Sequence, residues 1–208
     1  EQKTAVINGA AGTGKTMIAV EKARRHAAKG ERVLFLCYNS ELRKHLEKEY
    51  GNKYIDYYTI DAFISRILGN EGLDYNAAAR RLMEIGIMGK FPYRHIIVDE
   101  GQDFGREKMD ENLILERLYD ALKCQNDDGS TFYVFYDRLQ IVQSRKLPSF
   151  IENSDCRLTL YRNCRNTMSI AKTAFSLFRD RNLDCNGVTG KVPRIHFIRN
   201  DSCEDTVD

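Results

Sequence analysis

The residues of this chain that are best suited to chemistry lie close to its start. Residues 9–16 read GAAGTGKT and fit the pattern G-x-x-x-x-G-K-[S/T] of a phosphate-binding loop. Glycine has no Cβ, so the backbone N–H groups of such a loop can approach phosphate oxygens closely. Lys15 supplies a positive charge for the β- and γ-phosphates, and Thr16 supplies a hydroxyl that can bind Mg²⁺. The expected nucleotide-binding residues are Gly9, Ala10, Ala11, Gly12, Thr13, Gly14, Lys15 and Thr16.

The flanks of this loop support the same interpretation. An apolar stretch at 4–8 precedes the loop, and residues 15–29 have helical spacing, with Gly30 as a natural stop. A helix that begins at the loop directs the positive end of its dipole at a bound anion. The alternative, an incidental glycine-rich turn, requires neither flank. The pattern therefore predicts a site for ATP or GTP, but it does not say what the nucleotide is used for.

A second group of polar residues follows the short apolar run HIIV at 95–98. We expect this run to be a buried strand that neighbours the strand of the loop, so that Asp99 emerges at its carboxyl end, where ligands bind in such sheets. There Asp99 would hold Mg²⁺ through water, Glu100 would accept a proton from the attacking water, and Gln102 would touch the phosphate or that water. An exposed acidic turn is the alternative. The Asp-Glu pair favours ATP hydrolysis over simple nucleotide exchange.

Strand-like and helix-like patterns alternate along the chain, which predicts an α/β doubly wound parallel sheet. The composition changes after about residue 143, so we predict one complete lobe over 1–147 and an incomplete second lobe over 148–208. Ser40 is the expected cap of the second helix. The predicted strands are 4–8, 32–38, 54–58, 95–98, 131–136, 157–160 and 194–198, and the predicted helices are 15–29, 40–49, 60–68, 76–85, 107–123 and 167–179.

Composition narrows the class of protein. A 42% hydrophobic fraction can supply a core, and a net charge of +2 neither indicates nor excludes a nucleic-acid partner. No apolar run has the length of roughly 20 residues that a membrane span needs. The six cysteines form no C-x-x-C pair, which favours reduced thiols in a cytoplasmic protein. The four histidines are dispersed along the chain, so we do not expect a metal cluster.

Several segments together resemble the motifs of superfamily 1 helicases, in particular the Rep-like, UvrD-type DNA helicases. The resemblance implies two RecA-like lobes, ATP and Mg²⁺ as cofactors, and single-stranded DNA as the partner, with RNA left open. In chain order the segments are 9–16 for motif I, 33–46 for motif Ia, 58–68 for the T-x-x-x-F segment, 98–104 for motif II in its D-E-x-Q-D form, 134–142 for motif III and 160–175 for motif IV.

The resemblance also implies roles for single residues. Asp137 and Gln140 match the D-x-x-Q that couples the nucleotide state to strand binding in that family. Arg165 matches an arginine that reaches the γ-phosphate from the second lobe and stabilises charge in the transition state. The segments that touch single-stranded nucleic acid in the family correspond here to Tyr38, Asn39, Thr59 and Phe63.

Some positions depart from the family pattern. Met17 and Cys164 stand where the family has the arginine and the aromatic residue that sandwich adenine, so base recognition is looser or uses Tyr161. Asp61 replaces a histidine, and the chain has no tryptophan for strand stacking. Motifs V and VI would lie beyond residue 208. Two functions therefore stay open: an ATP-dependent DNA helicase or translocase, represented here by its N-terminal part, and a nucleotide-dependent switch or scaffold ATPase that does not translocate.

Overall fold

Six parallel strands form the sheet that carries the phosphate-binding loop. The computed structural model describes residues 3–69, 72–105, 110–125, 129–137, 154–176, 184–185 and 187–194. The strands are β1 (Thr4–Gly9), β2 (Val33–Leu36), β3 (Ile55–Tyr58), β4 (His95–Val98), β5 (Thr131–Tyr136) and β6 (Cys156–Leu160), and their order in the sheet is β3-β2-β4-β5-β1-β6. The predicted α/β parallel fold is confirmed.

Helices cover both faces of this sheet. Those described in the first unit are α1 (Lys15–Ala28), α2 (Ser40–Tyr50), α3 (Ile60–Ile67), α4 (Tyr75–Ile87) and α5 (Asp110–Cys124). Alternate residues of one strand enter different cores: Leu34 packs with α3, α4 and α5, whereas Phe35 packs with α1 and α2. Because both faces are buried, the central strands read as continuous apolar runs, which made them recognisable in the sequence.

Two elements lie elsewhere than the sequence indicated. We expected the ends of β1 and β4 to be neighbours, but β5 lies between them. We also assigned the strand near 157–160 to the second lobe, yet β6 pairs with β1, with Val6 opposite Arg157. The chain accordingly divides into the compact units Glu1–Tyr161 and Arg162–Asp208 rather than at residue 148. Pairing between strands so far apart in sequence leaves no local signal.

Helix boundaries agree with the predictions to within three residues where both ends are described. The cap of α2 is Asn39 rather than Ser40, and its side chain accepts a hydrogen bond of 2.7 Å from the backbone N–H of Leu42. The predicted helix at 107–123 is observed from Asp110, and residues 106–109 lie outside the described part of the chain. None of the described helices is long and apolar enough to cross a membrane.

The second unit is small. Its described elements are β7 (Arg162–Asn163), which pairs in parallel with β8 (Asp184–Cys185), and helix α6 (Met168–Ser176). Residues 195–208 and 177–183 are outside the described residues, as is most of the predicted strand at 194–198. That this unit begins a second RecA-like lobe stays a prediction.

Two histidines far apart in sequence meet at the amino end of the sheet. The rings of His26 and His95 stack with centroids 3.4 Å apart, and both direct a nitrogen at the same carboxylate oxygen of Glu31, at 3.0 and 2.9 Å. The donor atoms of the three residues lie within 4.8 Å of one another. One metal ion cannot lie in the planes of two stacked rings, so the geometry favours a hydrogen-bonded network that joins α1, β4 and the segment before β2.

This network predicts acid-sensitive stability. Burial, and then the charge of His26, lower the pKa of His95 from 6.5 to about 4, although Glu31 opposes the shift. A histidine with a lowered pKa takes up its proton first in the unfolded state, so stability is lost as pH falls from about 6.5 to about 4, by roughly 3 kcal/mol. The other charged groups that act on this network are Arg94, Lys22 and Lys29.

Urea unfolding at pH 7 and at pH 4.5 checks this expectation. His95→Gln keeps a polar group but removes the imidazole that takes up a proton. The decrease in the free energy of unfolding between pH 7 and pH 4.5 should therefore be smaller by about 2 kcal/mol. His45→Gln, on the exposed side of α2, is the matched control and should keep the full loss. An unchanged pH dependence in His95→Gln would show that this residue does not carry the effect.

Candidate nucleotide-binding site

The phosphate-binding loop joins β1 to α1 and has backbone angles that suit glycine. Gly12 and Gly14 have φ of 83° and 89°, in the left-handed region that side chains disfavour. Gly14 is also the cap of α1, so the helix starts directly from the loop. A Cβ at Gly9 would collide with Thr13 Oγ1, whose hydroxyl donates to the carbonyl of Ala10 at 2.8 Å. The loop therefore needs glycine at position 9 for space and at positions 12 and 14 for backbone conformation.

Lys15 lies within the cradle rather than in solvent. Its side chain is only 6% exposed, and Nζ donates hydrogen bonds to the carbonyls of Gly9 at 2.8 Å and Ala10 at 3.3 Å. Nζ also lies 4.0 Å from the Oδ2 of Asp137, which follows β5 and is 2% exposed. The ammonium is thus held at the loop, where a phosphate would need it.

Thr16, in the first turn of α1, contacts Asp99, at the end of β4. The contact forms although β5 separates β4 from β1, the strand that precedes α1. The hydroxyl of Thr16 donates to Asp99 Oδ2 at 2.7 Å, and Asp99 is 0% exposed. Within the described residues, Asp99 Oδ1 has no hydrogen-bond partner. Burial raises the pKa of Asp99 to about 6, even though the Thr16 hydrogen bond opposes the rise. A hydroxyl beside a carboxylate with one unsatisfied oxygen is a donor set that suits a hard divalent cation.

Glu100 has a strained backbone. It is the non-glycine residue with positive φ among those described, at 56°. The next residue explains how the turn is fixed: the N–H of Gly101 donates to the carbonyl of Phe135 at 2.8 Å, and a Cβ there would lie 2.7 Å from Val134 Cγ1. The close approach of this turn to β5 therefore requires glycine at 101, directly after the strained residue Glu100.

Gln102 connects the ends of β4 and β5. Its Nε2 donates to Glu100 Oε2 at 2.6 Å, and its Oε1 accepts the backbone N–H of Asp137 at 2.9 Å. A weaker contact of 3.3 Å joins Nε2 to Asp103. We expected Gln102 to touch the phosphate or the attacking water, but here both ends of its amide bind protein groups. Its geometry is that of a bridge that orients Glu100.

Sequence reasoning undervalued two residues of this site. Asp137 was assigned to a motif but not to the phosphate site, although it emerges directly after the apolar strand β5, the same signal that identified Asp99. Gly101 has no such signal, because its role depends on how closely the turn approaches β5.

The four predicted nucleic-acid residues have structural contacts of their own. The side chains of Asn39 and Thr59 cap α2 and α3 and accept from the N–H groups of Leu42 and Ala62. Phe63 is 3% exposed and packs in the core, where its ring lines a small cavity rather than the open surface that a strand of bases would need. Tyr38 is half-buried against Phe104, with ring centroids 5.6 Å apart. That these four residues contact nucleic acid stays a prediction.

Gln140 and Arg165 are the remaining predicted catalytic residues. Gln140 falls outside the described residues. Arg165 is exposed in the second unit, in a turn organised by the fully buried Asn163. The Oδ1 of Asn163 accepts the backbone N–H groups of Arg165 at 3.1 Å and Asn166 at 2.8 Å. Cys164 and Met17 are both exposed, and free thiols are found at Cys37, Cys124, Cys156 and Cys164.

Comparison with known proteins identifies one similar family and a set of similar folds. Residues 1–100 match a family described as the res subunit of type III restriction enzymes. No curated protein matches the chain. One similar solved structure is domain III of the replication initiation protein DnaA from Thermotoga maritima, at 13% identity and a TM-score of 0.46, over 77% of this chain and 55% of that chain. A likeness at this level says nothing about activity.

The strand order and the site together define the class of this protein. A glycine-rich cradle follows β1, its lysine is buried in the loop, and an acid at the end of β4 contacts the first turn of α1. The chain therefore has the α/β fold and the phosphate-binding loop that are typical of P-loop nucleotide-binding proteins.

Because Glu100 has a positive φ, we expect glycine to be more stabilising than alanine at this position, which is the reverse of their order inside a helix. Glu100→Gly and Glu100→Ala both remove the side chain, but only alanine keeps the left-handed strain, so the glycine variant should be more stable by about 1 kcal/mol. The same pair of substitutions at Glu116, inside helix α5, should give the opposite order by a similar amount. Chemical unfolding measures both differences, and alanine proving the more stable at both positions would contradict the strained backbone.

Proposed function

We propose that this protein hydrolyses Mg-ATP and couples hydrolysis to single-stranded nucleic acid, as a superfamily 1 helicase or translocase. The observation that carries the proposal is the contact between the Thr16 hydroxyl and the buried Asp99 carboxylate beside the Lys15 cradle. Hydrolysis needs these groups at one place, and they follow β1 and β4, the two strands that lie on either side of β5.

The loop and its lysine would bind the phosphates. Backbone N–H groups around Gly12 and Gly14 face the anion together with the amino end of α1. Lys15 would exchange its hydrogen bonds to the loop carbonyls for bonds to the β- and γ-phosphates. Thr16 and Asp99 would hold Mg²⁺, which when bound neutralises charge that develops on the phosphates.

Glu100 is the proposed general base. It directly follows Asp99, and Gln102 holds its carboxylate at 2.6 Å. The same glutamine accepts a hydrogen bond from the N–H of Asp137. A change in the position of Glu100 would therefore shift Gln102 and alter its hydrogen bond to the end of β5. The segment after Asp137 contains Gln140, the residue that the helicase resemblance assigns to coupling. Arg165 is the proposed source of a positive charge for the transition state.

Similarity to the res subunit family over 1–100 supports a nucleic-acid-dependent ATPase more than any other class. A second candidate is a nucleotide-dependent switch or scaffold ATPase. The burial of Phe63 and the capping roles of Asn39 and Thr59 favour it, because these side chains are occupied by the fold. The two candidates differ in whether nucleic acid stimulates turnover.

ATP turnover of the full-length protein, measured with and without single-stranded DNA at low salt, tests the proposal. Turnover should rise with DNA, and the stimulation should weaken as salt increases, because phosphate contacts are lost. Glu100→Gln should lower turnover at least about 100-fold while ATP binding is retained. Glu116→Gln, on α5 and outside the site, is the matched control.

The results separate the alternatives. Turnover that ignores both single-stranded DNA and RNA would favour the switch or scaffold. Turnover that survives Glu100→Gln would show that another group is the base. ATP binding that is lost in this variant would mean that Glu100 acts in binding rather than in catalysis.

A further inference from the structure

A second cavity lies at the opposite edge of the sheet from the loop. It has a volume of about 290 Å³ and opens beside the edge strand β3. Four strand intervals separate β3 from β1, which corresponds to about 19 Å at roughly 4.8 Å per strand. The cavity also reaches Arg32 and 91–93, which precede β2 and β4, whereas the phosphate loop follows the carboxyl end of β1. It is therefore separate from the nucleotide site.

The walls of this cavity are largely aromatic and aliphatic. Phe63 and Tyr93 have ring centroids 6.5 Å apart, and Phe91 packs edge-on against Tyr93 at 5.6 Å. All three side chains are at least nine-tenths buried, so the wall is held by core packing. The remaining apolar lining residues are Tyr58, Ile67, Leu82, Ile85 and Pro92. Such a surface suits a flat apolar group.

The acidic group of the cavity is already neutralised. Asp56 accepts a hydrogen bond from Arg32 at 2.6 Å and another from the Tyr93 hydroxyl at 2.8 Å. The Arg32 guanidinium also lies 5.3 Å from the centre of the Tyr93 ring. Burial raises the pKa of Tyr93, so its hydroxyl stays a donor to Asp56. This arrangement leaves no negative charge available to attract a cation.

Arg66 gives the cavity its net charge. It belongs to α3, lines the cavity and is exposed. Among the residues that the structure describes, it has no hydrogen bond or ion pair. A guanidinium with no partner among the described residues, beside aromatic walls, favours an anion that carries an apolar ring.

We propose that this cavity is a binding site for a small aromatic carboxylate, with the ring against Phe63, Phe91 and Tyr93 and the carboxylate on Arg66. The volume lies at the lower end of the range for ligand sites, which fits a single ring rather than a nucleotide. The site does not depend on the proposed ATPase function.

Phenylacetate is a suitable probe, and phenylacetamide is its uncharged match. Titration of each into the full chain without nucleotide, followed by methyl NMR of Ile67, Leu82 and Ile85, reports binding at the cavity. Phenylacetate should bind with a dissociation constant on the order of 1 mM, and phenylacetamide should bind several-fold more weakly. Arg66→Gln should remove this difference, whereas Arg80→Gln, on the exposed surface of α4, should preserve it.

Two further outcomes decide the proposal. Ile85→Trp should fill the cavity and abolish the shifts of Ile67 and Leu82, while the unfolding transition shows that the variant is folded. The absence of saturable shifts with phenylacetate would overturn the site. Equal binding of phenylacetate and phenylacetamide, or phenylacetate binding that is unchanged in Arg66→Gln, would overturn the assignment of an anionic ligand.

Discussion

The hydrogen bond between Thr16 and Asp99 is the contact on which the rest of this structure depends. Full burial of a carboxylate is costly, and here only one of its two oxygens has a partner among the described residues. Replacing it with an apolar residue would relieve that cost. Retention of such a group at the carboxyl edge of a parallel sheet is expected where the group has a chemical role. The buried Asp99 carboxylate therefore lowers the free energy of unfolding, and in return it supplies an oxygen that can bind a cation.

Strand β5 connects the loop after β1 with the turn after β4. It separates β1 from β4, so the turn after β4 must cross its end to bring Asp99 and Glu100 to the loop. Gly101 packs directly on β5, and Gln102 joins the turn to the N–H of Asp137. Asp137 in turn lies 4.0 Å from Lys15. Lys15 thus lies beside Asp137 directly, and the proposed base Glu100 is joined to the same residue through Gln102, so both are tied to the end of β5.

The sequence predicted most elements of the first unit because their signals are local. Strands buried on both faces read as apolar runs, and the glycine-rich loop lies between a strand and a helix. The order of the strands was not predictable, because the position of β5 between β1 and β4 depends on contacts between distant segments. For the same reason the meeting of His26 with His95 and the pairing of β6 with β1 were not anticipated.

Side-chain roles were less predictable than elements. Asn39 and Thr59 were expected to contact nucleic acid, but both have the residue type and position of helix caps, and the structure uses them as such. Phe63 lies on the apolar face of α3, and the resemblance could not show that this face is buried. Gln102 was recognised as part of the site, but its bridging contact depends on how closely the turn after β4 approaches the end of β5. Local patterns identified where the site lies, and packing decided what each residue does there.

The central claim is that Thr16 and Asp99 form one magnesium-dependent nucleotide site across β5. Calorimetric titration of ATP, with Mg²⁺ and with EDTA, tests it most directly in the wild type, Thr16→Val, Asp99→Asn and the double variant. We expect Mg²⁺ to strengthen ATP binding in the wild type, each single variant to lose most of that gain, and the double variant to lose little more, because coupled groups are not additive. A gain from Mg²⁺ that persists in Asp99→Asn, or losses that add in the double variant, would contradict the account.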